Sequence, residues 1–268
     1  MIRILSEAAA GMEVMTPLGP SAGPTTGNTI PVAVETNGKG YTCFLVDLPG
    51  AFTRGRSESE VLSKVPAEAR SYLDWLGVPS PALGEAKVVE WHVCQLMVED
   101  ADGEILLTAD RGPFGPEEFE HVTSIVRLSG ETFSALYDSS SFKDWVDPSR
   151  LRKTFYGEAP NTIREVFHHV ENTQRYYLSR VGLDIGGNES FLEARGSGLR
   201  RIGKLFEVEG NSKVYDVDGE SWTVKKVLRR FIWHDRIHGK SITRILAKQK
   251  QLGLIKKYED TFRFNLGT

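Results

Sequence analysis

The chain has 268 residues, 40% of them apolar and 26% charged, with a net charge of −3 at neutral pH. That length is enough for two domains of ordinary size. The mildly acidic balance gives no electrostatic basis for nucleic-acid binding, and no apolar run reaches the roughly 20 residues that a membrane span requires. The opening stretch MIRILSEAAAGMEVM carries one early Arg and no long apolar centre, so it does not read as a signal peptide. Cys43 and Cys94 are the only cysteines. Both sit in apolar, strand-like runs outside any CxxC pair, which points to buried thiols rather than a disulfide framework or a nucleophile. The cytoplasm is the simplest compartment for such a chain.

Residues 15–31 are dense in Pro and Gly and read as a loop. Asn37-Gly38 then lies between two β-rich runs, IPVAVET and YTCFLV, and marks a hairpin turn. Ser57, with Glu60 three residues later, opens a helix in the manner of a capping box. Val61, Leu62, Val65, Ala69, Tyr72, Leu73 and Leu76 carry its helical period, and Pro66 predicts either a kink or two short helices. KVVEWHVCQLMV over 87–98 reads as a strand, Asp102-Gly103 as a turn, and EILLTA as a returning strand. Residues 1–110 are therefore expected to form an α+β domain.

Beyond Gly112-Pro113 the period becomes helical. Helices are expected near 116–137, 160–182, 189–206 and 222–251, broken at Gly186-Gly187 and at VEGNSKVYDVDGES. Four helices of this length predict a bundle over 111–268, and the long first connection is not a simple up-down turn.

Three of the six histidines carry chemical information. His234 and His238 stand at i and i+4, which stacks two imidazoles on one helix face. The same spacing serves zinc in HExxH, but Asp235 follows His234 and the glutamate base of that motif is missing. Counting about 100° per residue from Val227 puts His234 near −20° and His238 near +20°. Both thus occupy the middle of the stripe formed by Val227, Phe231, Ile242 and Ile245. Buried imidazoles need partners for their ring nitrogens. A metal would supply them, and so would ordinary hydrogen bonds in a core; spacing alone leaves both open. A third ligand would come from a facing helix. His169 lies about 100° from Val170, at the edge of the stripe of Ile163, Val166, Phe167, Tyr177 and Val181, whereas His168 points to the opposite face. His169 is thus the better candidate and His168 a solvated one. His92 and His121 have no partner at useful spacing and read as ordinary strand and helix residues. Asp235 and Tyr177 are candidate neighbours of the site without an assigned role.

The segments HHVENTQRYYL and WTVKKVLRRFIWHDRIHGKSI resemble the DinB/YfiT-like family of helical metalloproteins, over roughly 110–250. The resemblance implies a four-helix bundle, often a homodimer, with zinc, nickel or a similar ion on three histidines and an open position for water. It implies His169, His234 and His238 as the ligands, in agreement with the helical register. Some members of that family transfer or isomerise using low-molecular-weight thiols. YTCFLVDLPGAFTRGRSESEVLSKVPAEARSYLDWL resembles the HicB-type antitoxin domain over about 30–80, through its strand, D-x-P-G loop, T-x-G turn and capped helix. A helical half follows where such proteins end in a small DNA-binding module, so a reused scaffold for dimerisation or for a small ligand is expected rather than an antitoxin. The functional expectation is a metal-dependent transferase or hydrolase acting on a small-molecule substrate, with a thiol among the candidate nucleophiles, no nucleic acid and no membrane. The alternative is a non-catalytic metal-binding or antitoxin-like interaction protein.

Overall fold

The computed structural model describes residues 29–79, 83–100, 105–154, 157–184, 186–187 and 189–266. The opening stretch, the loop expected over 15–31 as far as residue 28, and the Asp102-Gly103 turn lie outside the described residues.

The first half is built on a four-stranded sheet of order β3-β2-β1-β4. Strands β1 (Thr29–Thr36) and β2 (Tyr41–Leu45) form the expected antiparallel hairpin, with Thr36 paired to Tyr41. The turn is held by Asn37, whose Oδ1 accepts from the amides of Lys39 and Gly40 at 3.0 Å each. Strand β3 (Phe52–Gly55) extends the meander. The chain then forms α1 (Glu58–Ser63) and α2 (Val65–Leu76) and returns as β4 (Glu85–Val93), parallel to β1. Pro66 resolves into two helices rather than a kink. It falls in the first turn of α2, where its missing N–H has no intrahelical acceptor to lose.

Two expected strands change. The run over 87–98 stops at Val93, and a short 3-10 turn follows at Val98–Asp100. The returning strand does not form in the described part of EILLTA. Ile105–Leu107 has no ladder partner, and α3 (Thr108–Arg111) starts directly after it. The Asp110 carboxylate explains the outcome: it accepts from the Leu107 amide and pairs with Arg229, at 3.0 and 2.6 Å. Ile105 and Leu107 are thereby packed with Ala33, Phe44, Phe52 and Trp233 on one face of the sheet. Val32, Val34, Cys43 and Leu45 point to the other face. Both faces are covered, which is why β1 is buried continuously from Val32 to Thr36.

The second half is helical. Helices α4 (Pro116–Asp138), α5 (Ile163–Ser179), α6 (Phe191–Glu209) and α7 (Val224–Gln251) fall where the periodicity places them. Helix α7 packs on α4 and α5, and α6 packs on the same two. The long first connection holds a short 3-10 turn at Pro148–Arg150 and a two-residue hairpin of β5 (Lys153–Thr154) and β6 (Gly157–Glu158). A second small hairpin, β7 (Tyr215–Val217) and β8 (Glu220–Trp222), leads into α7. No helix among the described residues is long and apolar enough to cross a membrane.

The two halves meet along α7. From Val227 to Arg236 every residue of this helix is buried, charged ones included. Gly50 of the D-x-P-G loop sits against it, with φ of +83°; a Cβ there would stand 2.6 Å from Ile232 and 2.7 Å from the Trp233 amide. Glu68 of α2 pairs with Arg236 at 2.8 Å and Lys240 at 2.6 Å. Trp75 Nε1 donates to Thr132 Oγ1 of α4 at 3.0 Å. One continuous apolar core therefore includes side chains of the sheet, α2, α4, α5, α6 and α7.

Candidate metal centre

Each helix that carries a histidine of interest starts from a side-chain cap. Thr162 accepts from the Glu165 amide at 3.0 Å, and Glu165 reaches back to the Thr162 amide at 3.2 Å, a reciprocal capping box that starts α5. Thr223 caps α7 by accepting from the Lys226 amide at 3.1 Å. It also donates to the Asp110 carbonyl at 3.0 Å, which fixes the start of α7 against the first half. From these origins His169 stands about two turns into α5, and His234 and His238 about three and four turns into α7.

The three rings converge. His169 Nε2 and His234 Nε2 are 3.2 Å apart. The ring centroids lie 5.0 Å apart for His169 and His234, 4.6 Å for His169 and His238, and 4.4 Å for His234 and His238. One nitrogen from each ring lies within 4.8 Å of the others. A tetrahedral ion with nitrogens at about 2.0–2.1 Å leaves neighbouring ligands about 3.3 Å apart. The observed 3.2 Å fits that value. It fits an imidazole–imidazole hydrogen bond too, but such a bond accounts for two rings and leaves the third unexplained. The donor set can hold a divalent cation.

Burial favours the neutral form of these rings. Burial pushes the His234 pKa well below the ordinary value, and the facing His238 and His169 rings push the same way. Burial does the same for His238, reinforced by His169, and lowers His169 as well. Neutral imidazole is the form that coordinates. Tyr177 of α5 stands edge-on to His234 with centroids 5.5 Å apart. Burial raises its phenol to about 12, so it stays protonated at neutral pH.

The site opens into a cavity of about 640 Å³. Beside the histidines and Tyr177, its wall includes Arg54 of β3, Asp100, Arg152, Arg230 and Trp233. The Arg230 guanidinium lies 4.2 Å over the Trp233 ring. Arg54, Asp100 and Arg152 have no periodicity that could flag them, because Arg54 lies in a short strand, Asp100 in a 3-10 turn and Arg152 in a loop. Arg230 did leave a signal, standing four residues before His234 on the same helix.

The remaining candidates sort by location. His168 is exposed and pairs with Glu171 at 3.0 Å, in line with the solvated face expected for it. His92 contacts Glu90 at 2.7 Å on β4, and His121 lies on α4 away from the three rings. Asp235 is fully buried but takes no part in the cavity wall. It forms a two-pronged pair with Arg195 of α6, at 2.8 and 3.0 Å, and accepts from Ser129 of α4 at 2.5 Å. Arg195 Nε in turn donates to Gln174 of α5 at 2.7 Å. Gly130 makes room for this network, since a Cβ there would stand 3.1 Å from the Arg195 guanidinium. Cys43 is buried, and burial raises its thiol to about 12, which suits a packing residue; Cys94 is only partly buried.

The chain was compared with protein-family profiles, curated proteins and solved structures, and none of them matches.

Proposed function

We propose that the helical half is a DinB/YfiT-like four-helix bundle that holds one divalent metal ion on His169, His234 and His238, and that the protein is a metal-dependent transferase or hydrolase. The observation that carries this reading is the convergence of three imidazoles from two helices beside a cavity. Zinc or nickel suits an all-imidazole donor set. Such an ion, when bound, supplies a Lewis acid that lowers the pKa of water or a thiol at its open position.

The chain's own groups define the surroundings. No carboxylate is among the three ligands, so the full dipositive charge would face the cavity and favour an anionic fourth partner. The Tyr177 phenol is a proton donor beside His234. Trp233 and Tyr177 supply apolar walls that limit water. Three protein ligands with room for a fourth is the arrangement of catalytic rather than structural zinc.

The test is metal content after loading and desalting. Wild-type protein should retain about one equivalent of zinc or nickel. His169→Ala, His234→Ala and His238→Ala should each lose most of it, and His168→Ala should keep it. Unchanged stoichiometry in His234→Ala would falsify the site. A thiol-transfer screen on the loaded protein then separates catalysis from a binding role.

A further inference from the structure

Strand β4 forms one edge of the sheet, and β1 is its only strand neighbour among the described residues. The pairing register slips between Val32 and Ala33, which leaves Val89 unmatched and divides β4 in two. The first part is guarded by exposed charge at Glu85 and Lys87, as sheet edges commonly are. The second part is not. Val89, Trp91 and Val93 are 54%, 42% and 72% exposed, and they alternate along one side of the strand. Glu90 and His92 take the other side, where Glu90 accepts from the Thr108 amide at 3.0 Å and meets His92 Nε2 at 2.7 Å. The Cys94 amide donates to the carbonyl of Thr36, the residue paired with Val93. That bond fixes the alternation of the ladder: His92 and Cys94 turn their peptide groups toward β1, and Trp91 and Val93 turn theirs outward. Exposed apolar side chains and outward peptide groups therefore fall on the same residues.

We propose that this edge pairs antiparallel with the same edge of a second copy, about a two-fold axis at Trp91, joining two four-stranded sheets into one of eight strands. In such a pairing the position of the axis decides every cross-strand contact. An axis at Lys87 or Glu90 sets like charges directly opposite, which is destabilising. An axis at Val88 or Val89 sets Glu85 and Lys87 of the first part against the apolar residues of the second. At His92 two imidazoles stand opposite and Glu90 meets Cys94, and at Val93 the pairing runs off the end of the strand. At Trp91 the two indoles face each other, Val89 faces Val93, and Glu90 faces His92. Apolar meets apolar and acid meets imidazole along the whole second part, and the outward peptide groups of Trp91 exchange both bonds with their equals. This self-matching order favours a second copy over an unrelated strand. The proposal is independent of the metal reading. The cavity residue Arg54 lies on β3, the opposite edge of the sheet, so the pairing leaves both candidate metal centres open.

The experiment is sedimentation of the full chain, with circular dichroism melts to show that each variant is folded. Wild type should sediment as a dimer at about 50 µM. Trp91→Lys and Trp91→Glu each set like charges across the axis, and each should be monomeric there, a loss of at least about tenfold in affinity. Mixing the two should restore a dimer with one copy of each, because lysine then faces glutamate. Only an axis at residue 91 gives that rescue. A second pair of variants works at the exposed flanks. Val93→Lys should weaken the dimer, and adding Val89→Glu in the same chain should recover it, since residue 89 faces residue 93 of the second copy. A monomeric wild type overturns the proposal; amide exchange at Trp91 and Val93 then tells whether another part of the chain covers the edge or a different partner is left to do so. A dimer that survives Trp91→Lys overturns it too, because the copies then meet elsewhere. A mixture of the two Trp91 variants that stays monomeric removes the axis from Trp91 and overturns it as well.

Discussion

His234 is the residue on which the site turns. It is buried, it contacts His169, His238 and Tyr177, and its neighbours on α7 are themselves enclosed. Burial lowers the pKa of all three rings, so they remain neutral to a lower pH than free histidine, about 6.5. Metal binding competes with protons for the same nitrogens. Zinc retention should therefore persist at pH 6 and fall off only at lower pH, where an exposed histidine cluster would already have released the ion. Equilibrium dialysis across pH 7.5 to 4.5 checks this, and loss beginning at pH 7 would show that the rings are not desolvated. Glu68 gives a second pH signature. Burial opposes its charge, but Lys240 and Arg236 outweigh that and hold its carboxyl below the usual range. The stability it adds is complete above the unfolded glutamate value of about 4.3 and is lost as pH falls through the lower folded value. Melting curves of wild type and Glu68→Gln should therefore converge in acid, the wild type losing more.

At the scale of elements, α7 decides the architecture. Lys226, Arg229, Arg236 and Lys240 are each paired with a carboxylate from another segment, so a helix rich in charge can be buried on all sides. The Asp235–Arg195 pair sets the rotation of α7 against α4 and α6, and with it the direction of His234 one residue earlier. Removing one partner leaves a buried charge unmatched, which costs about 3–5 kcal/mol. Asp235→Ala should thus lower stability by that amount in urea titration. Replacing both partners, with Arg195→Met and Asp235→Leu, should recover a large part of it. A double variant no more stable than the single one would mean that the network does more than neutralise charge. Gly50 is the matching constraint on the sheet side. Gly50→Ala adds a methyl group against Ile232 at a left-handed backbone position, and should cost about 2–5 kcal/mol.

For the whole molecule, the continuous core matters most. A fragment of 111–268 would expose Ile232 and Trp233 beneath the lost sheet and strip Arg236 and Lys240 of Glu68. It should lack a cooperative thermal transition by circular dichroism, although its helices match the periodicity of its own sequence. A sharp melt near that of the full chain would mean that the two halves carry independent cores and that their contact is secondary.

The local sequence determined what short-range physics governs. Helical periods placed α4 to α7 within a few residues, Asn37-Gly38 marked the hairpin, Ser57 and Pro66 shaped α1 and α2, and the register of His234 and His238 put both on the inner face of α7. The register also separated His169 from His168. These features depend on residues within a turn or two of one another. Tertiary structure alone decided the rest. The segment after Asp102-Gly103 has strand-like residues, but Asp110 finds Arg229, which is 119 residues away, and the segment becomes a wedge between sheet and helix. Asp235 looked like a neighbour of the site and became a strut outside the cavity wall, because its partners Arg195 and Ser129 come from other helices. Arg54, Asp100 and Arg152 reach the cavity from segments with no period to betray them. Periodicity reports which way a side chain points relative to its own element, and only packing reports what meets it there.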